Sequence, residues 1–182
     1  MEFMILDWTQ TLRTPWLDGF MVFVSSLGNF GAVWIILAVV LLLLPKYRRV
    51  GALLACALLI DLVVCNVLLK PLVARSRPYD LNQMMEYLID RPHGWSFPSG
   101  HTAASFAATT ALLLGRSRLW IPCGILAVLI AFSRLYLYVH FPTDVLAGAV
   151  IGTALALWVT GWARARAQRR GGTEGGNVSA TR

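Results

Sequence analysis

The residues best suited to chemistry are two of the three histidines and the groups spaced around them. His101 closes the stretch Pro98-Ser99-Gly100-His101, which runs straight into an apolar segment beginning at Thr102. Proline is tolerated just before a helix or in its first turn, but not in its interior. Serine is a strong N-cap, and glycine lets backbone approach a ligand closely. The stretch therefore predicts a helix N-terminus whose free N–H groups form an anion site. His101, in the first turn, could exchange a proton with the bound anion. His140 precedes Asp144 by four positions. A carboxylate so near can accept an imidazole N–H, fix the tautomer and support positive charge on the ring.

Cations complete the set. Lys70, Arg77 and Arg134 lie at the ends of apolar segments, where charge is costly and implies a task. Together they suit the oxygens of a phosphomonoester or pyrophosphate, and each arginine can bind in bidentate fashion. Ser99 and the Gly100 N–H add neutral donors. One histidine can then attack phosphorus while the other protonates the leaving oxygen and later takes a proton from water. Residue types leave open which histidine attacks, and the nearness of Asp144 favours His140. Three cations already neutralise the phosphate, so no metal or other cofactor is expected, and the chain has no HExxH, CxxC or acidic cluster. Arg75 reads as an ordinary loop cation and His93 as a solvated loop residue.

These residues must be positioned by membrane helices. The 182 residues suffice for one domain, 57% of them hydrophobic and 14% charged, with mean hydropathy +0.64. Several apolar runs approach the ~20 residues that cross a bilayer as helix. Residues 1–14 lack the basic start of a signal peptide and predict an interfacial helix with Phe3, Leu6, Trp8 and Leu12 on its apolar side. The first long apolar run, residues 16–44, is interrupted by Gly28, Asn29 and Gly31, which predicts a bend or break. Further spans are expected at residues 50–69, 102–114, 119–138 and 143–162, with a short surface helix over residues 81–89 that includes Met84 and Met85. The expected fold is all-α: an integral membrane bundle of five spans, or six helices if the break at residues 28–31 is deep, with an N-terminal interfacial helix. Residues 1–163 form the domain, and the basic tail, residues 164–182, is expected to be disordered.

Charge asymmetry sets the orientation. Lys46, Arg48, Arg49, Arg116, Arg118 and Arg164 fall on one side, which should be cytoplasmic. The net charge of +7 is thus a topology signal, and no nucleic-acid partner is implied. The C-terminus is then cytoplasmic and the chemistry-bearing segments face outward. Asp61 and Asn66 inside the second span are expected to make interhelical hydrogen bonds. Cys56, Cys65 and Cys123 read as small core fillers, and Gly148 with Gly152 as a close helix contact.

Lys70 with Arg77-Pro78, then Pro98-Ser99-Gly100-His101, then Ser133-Arg134 with His140 and Asp144, resemble the three signatures of the type 2 phosphatidic acid phosphatase family in order and spacing. The resemblance covers residues 70–144. It implies an enzyme of the plasma membrane that hydrolyses a lipid-linked phosphate or pyrophosphate, without metal, through a phosphohistidine. In that scheme His140 is the nucleophile, Asp144 its orienting group and His101 the acid and base. The small size and outward site look most like undecaprenyl pyrophosphate phosphatases. Phosphatidate and phosphatidylglycerol phosphate are the next substrates, followed by phosphotransfer to another lipid. A lipid carrier that binds phosphate without cleaving it would need the cations but not the paired histidines.

Overall fold

The computed structural model describes residues 1–82 and 87–175, and the secondary structure of the described residues is helical. In chain order the helices are α1 (Glu2–Gln10), α2 (Pro15–Leu27), α3 (Ala32–Leu43), α4 (Arg48–Asp61), α5 (Lys70–Val73), α6 (Pro78–Leu81), α7 (Gly100–Leu114), α8 (Trp120–Tyr136) and α9 (Pro142–Gly175). Thr14 caps α2 by accepting the Leu17 N–H, with Pro15 in the first turn. This is the usual grammar of a helix start.

The break expected near residue 28 is present. Asn29–Gly31 is a short 3₁₀ turn, and α2 and α3 meet there at 47°. The helical stretches Pro45–Leu81 and Pro142–Arg169 are long and apolar enough to cross a bilayer, and the bent pair makes a third. Helices α7 and α8, at 15 and 17 residues, fall below the ~20 of an upright span. Between α4 and α5 the chain passes through a π-helix, Leu62–Leu69, which sequence periodicity does not predict. Such wide turns are rare and concentrate at functional sites. This one delivers Lys70.

Helix α7 is the centre of the bundle and packs on α4, α8 and α9. Its inner face is small: Ala103, Ala107, Ala108 and Ala111 are all fully buried. A side-chain carbon at Gly148 would lie 2.7 Å from the Ser99 carbonyl oxygen, and one at Gly152 would overlap the Ala103 carbonyl. The glycine pair thus serves α7–α9 contact within the chain. Small residues allow the backbones to close up, and dispersion across that contact replaces the hydrophobic drive that lipid does not supply. Trp34 of α3 donates to Ser105 Oγ at 3.0 Å, and Ser105 donates to the His101 carbonyl at 2.7 Å, so α3 braces the first turns of α7.

Helix α1 lies across the turn between α8 and α9. Leu6 is buried against Tyr138 and Phe141, Phe3 meets Phe141 edge-on at 5.4 Å, and Gln10 donates to the Tyr136 carbonyl. Met4, Ile5 and Trp8 remain exposed on its other side. At the opposite end of the bundle, Arg164 donates to the Leu114 carbonyl and Gly115 packs on Val50. The basic residues flanking these contacts therefore share one end.

The tail begins inside a helix, since α9 continues past Arg164 to Gly175. Its first residues alternate alanine and arginine, both strong helix formers, and Arg164 is anchored on α7. Of the surface helix expected over residues 81–89, Leu81 ends α6, residues 82 and 87–89 are not helical, and residues 83–86 lie outside the described residues. Met84 and Met85 lie outside the described residues.

Candidate functional site

The loop after α5, the start of α7 and the α8–α9 turn converge at the end of the bundle away from Arg164. Asp144, in the first turn of α9, holds them together. Its backbone carbonyl accepts the Ser99 N–H at 3.0 Å. Its carboxylate accepts the Phe141 N–H at 2.9 Å, the Ser96 hydroxyl, and Arg75 Nη1 at 2.7 Å. Asp144 is fully buried, and this set of partners offsets the cost of desolvating its charge.

His140 is also buried. Its Nδ1 lies 3.7 Å from Asp144 Oδ2, beyond hydrogen-bonding distance, and 3.4 Å from Ser96 Oγ. Asp144 therefore reaches the ring mainly through Ser96. The direct hydrogen bond expected from the spacing is replaced by a relay. On the other side of the ring, Arg77 Nη1 stands 3.4 Å from Nε2. A guanidinium can only donate, so Nε2 carries a lone pair and Nδ1 the proton. The lone pair thus points toward the cations. Burial pulls the His140 pKa down to about 3. Arg77 and Arg134 push the same way, and Asp144 opposes them.

The three cations are held by neutral acceptors, which leaves their charge largely uncompensated. Lys70 Nζ donates to Asn66 Oδ1 at 2.7 Å. Asn66 thus serves the site from within the π-helix, where an interhelical bond was expected. A side-chain carbon at Gly100 would lie 2.9 Å from that Asn66 oxygen, so any larger residue there would displace the amide that holds Lys70. Arg77 donates to the Gly94 and Val139 carbonyls. Arg134 donates to Ser25 of α2, and its buried Nε has no hydrogen-bond partner among the described residues. Both arginines lie close enough to Lys70 to repel its charge. A buried guanidinium N–H left unpaired costs about 1–3 kcal/mol. An anion among these groups would satisfy it.

Ser99 occupies the N-cap of α7, but its side chain caps nothing. It accepts from Thr102 Oγ1 at 3.0 Å instead. The helix N-terminus keeps free N–H groups. His101 follows in the first turn, half-buried, with Nε2 3.0 Å from Asn29 Oδ1.

Arg75 is not the ordinary loop cation its sequence context implies. Besides Asp144 it donates to Thr143 Oγ1 and to Glu2 of α1, and its guanidinium lies over the Phe141 ring. Burial opposes ionisation of Glu2, but hydrogen bonds from Thr143 and Arg75 outweigh it and hold the carboxyl below its usual range. Glu2, Ser25, Asn29, Arg75 and Ser96 all touch the site, and no spacing pattern marks them. Asn29 stood out only as one of the residues that interrupt the first apolar run.

A model of the PAP2 superfamily matches residues 49–168. An undecaprenyl-diphosphatase of Sulfolobus acidocaldarius is 37% identical over 138 residues, 75% of this chain and 66% of that protein. The crystal structure of Aquifex aeolicus LpxE superposes with a TM-score of 0.76 at 31% identity, covering 87% of this chain and 93% of the other. The transmembrane PAP2-type phosphatidylglycerolphosphate phosphatase of Bacillus subtilis superposes with a TM-score of 0.70 at 29% identity, covering 88% and 83%.

Two outcomes follow from the His140 environment. Ser96→Ala removes the relay and should lower kcat on a lipid phosphate by ~10–100-fold, the scale of one hydrogen bond to a charged group, with KM little changed. A raised KM at unchanged kcat would contradict it. Because burial disfavours the charged ring, His140 stays neutral as pH falls through 6.5 and takes up a proton only near pH 3. In ¹⁵N-histidine spectra its ring should not titrate between pH 8 and 5. A midpoint near 6.5 would contradict this environment.

Proposed function

This chain belongs to the PAP2 superfamily, and from that premise we propose that it is a metal-independent membrane phosphatase that hydrolyses a lipid-linked phosphate or pyrophosphate through a phosphohistidine on His140. The observation that carries this reading is the buried imidazole whose Nε2 lone pair faces Arg77, with Ser96 and Asp144 behind Nδ1.

Lys70, Arg77 and Arg134 hold the phosphate oxygens, aided by Ser99 and the Gly100 N–H at the start of α7. These groups stabilise charge where it grows in the trigonal-bipyramidal transition state. Nε2 of His140 attacks phosphorus as the bond to the leaving oxygen breaks. His101 gives that oxygen its proton. The ring of His140 becomes cationic, and Ser96 passes the stabilising pull of Asp144 to Nδ1–H. Water then attacks the phosphohistidine and gives a proton to His101. Inorganic phosphate leaves, and both histidines return to their starting states.

The lipid-borne nature of the substrate follows from the site's place at the end of a bundle with apolar flanks. In this reading α7 and α8 also cross, which makes five spans, and the site faces the outer side of the plasma membrane with the C-terminus in the cytoplasm. The clustered basic residues at the other end support that orientation. Undecaprenyl pyrophosphate is the substrate we favour, since the Sulfolobus relative is named for it. Phosphatidylglycerol phosphate is the second reading, favoured by the likeness to the Bacillus subtilis structure.

Phosphate release in detergent from undecaprenyl pyrophosphate, phosphatidylglycerol phosphate and phosphatidate, with EDTA in excess, tests the proposal. Release should survive chelation and be fastest on the pyrophosphate. His140→Ala should remove ~10³-fold or more of it while the protein stays folded. Loss of activity on chelation that magnesium restores, or a His140→Ala protein working at about a tenth of the wild-type rate, would overturn it.

A further inference from the structure

The break between α2 and α3 faces His101. Gly28 is buried, and a side-chain carbon there would come within 2.6 Å of His101 Cδ2. The next residue, Asn29, places Oδ1 3.0 Å from Nε2. Cδ2 and Nε2 are adjoining ring atoms, so one edge of the imidazole is taken up by the break. Nδ1, on the opposite edge, is the nitrogen left for proton exchange. The backbone is strained to achieve this. Phe30 has φ 52° and Gly31 φ 69°. A left-handed non-glycine residue costs on the order of 1–3 kcal/mol and persists only where its surroundings impose it. Phe30 is 98% exposed, so its own packing does not hold it there. The same stretch of α2 also supplies Ser25, the partner of Arg134.

We propose that Asn29 is a positioning residue for His101: its Oδ1 accepts the Nε2–H, holds the ring edge-on against Gly28, and leaves Nδ1 to carry the transferred proton. This rests on the reading of His101 as the proton donor. In the charged ring both nitrogens bear protons. Nδ1–H passes to the leaving oxygen, and the neutral ring keeps its proton on Nε2, against Asn29. Nδ1 then takes a proton from the attacking water, and the charged ring is restored. Asn29 is an acceptor throughout, so the ring need not rotate between the two steps. When His101 is neutral, between the two steps, it is therefore the Nε2–H tautomer, opposite to the Nδ1–H of His140.

The test compares wild type, Asn29→Ala, Asn29→Asp and His101→Ala on a lipid alkyl phosphate and on p-nitrophenyl phosphate, whose leaving group needs no proton. Asn29→Ala should lower kcat ~10-fold or more on the alkyl ester and less than about 3-fold on the activated ester, part of the 10²–10⁴-fold that general acid catalysis supplies. Asn29→Asp keeps an acceptor oxygen and should restore most of the loss. At a pH where its ring is neutral, the ¹⁵N-histidine spectrum of the wild type should show His101 as the Nε2–H tautomer, and Asn29→Ala should show a mixture. Equal losses on both esters, no loss on either, or a wild-type His101 protonated on Nδ1 alone would each overturn the assignment. If His101→Ala itself lacks the leaving-group dependence, the proton-donor role fails and this inference with it. If His101→Ala shows the dependence and Asn29→Ala does not, only the assignment of Asn29 fails.

Discussion

Burying a carboxylate takes several kcal/mol of effective desolvation unless hydrogen bonds replace the lost water. Asp144 is fully buried, and the replacement partners of its carboxylate come from three separate stretches of chain. Arg75 reaches it from the loop after α5, Ser96 from the segment before α7, and Phe141 from its own turn. Each partner is therefore fixed by the need to satisfy one charge. The order this imposes reaches further. Arg75 is tied to Glu2, which fastens α1 over the α8–α9 turn, and Ser96 sets the height of the His140 ring. Removing Asp144 would release the loop, the turn and the N-terminal helix together.

The cations obey the opposite logic. Lys70, Arg77 and Arg134 are crowded together with Asn66, Ser25 and carbonyl oxygens as their hydrogen-bonding partners, and without a bound anion they repel one another. The strain is held by the scaffold, chiefly by the π-helix behind Lys70 and the tight α7–α9 contact. That contact depends on alanine and glycine, because larger side chains would separate α9, which carries Asp144, from α7, which carries Ser99. Packing, charge placement and chemistry are linked through a few tenths of an ångström at that seam. The first two helices lie outside the PAP2 match, yet they contribute Ser25, Gly28 and Asn29. The matched region carries the three cations, His101, His140 and Asp144, and the bent pair before it supplies partners to Arg134 and His101.

Much of this was legible in the sequence because the chemistry sits on short motifs. Lys70, Arg77, Ser99, Gly100, His101, Arg134, His140 and Asp144 all occupy the one end of the bundle that the reading requires, and the break at residues 28–31 was visible as an interruption of apolar residues. The partners of these groups were not legible. Asn29 and Ser25 act across more than seventy residues of sequence, and Arg75 looks like any loop cation until Glu2 and Asp144 are seen beside it. The π-helix is hidden for a different reason: apart from Asn66 its residues are apolar, so no periodicity separates a turn of four from a turn of five.

The central claim is that His140 Nε2 takes the phosphoryl group. Rapid mixing with a ³²P-labelled lipid phosphate, quenching under alkaline denaturing conditions, and mapping of the labelled peptide tests it most directly. The account predicts an acid-labile, alkali-stable label on the peptide containing His140, accumulating further in His101→Ala when an activated ester is the donor, because water then lacks its base. Label found on Ser99 or His101, or full turnover with no covalent label at any time point, would contradict it.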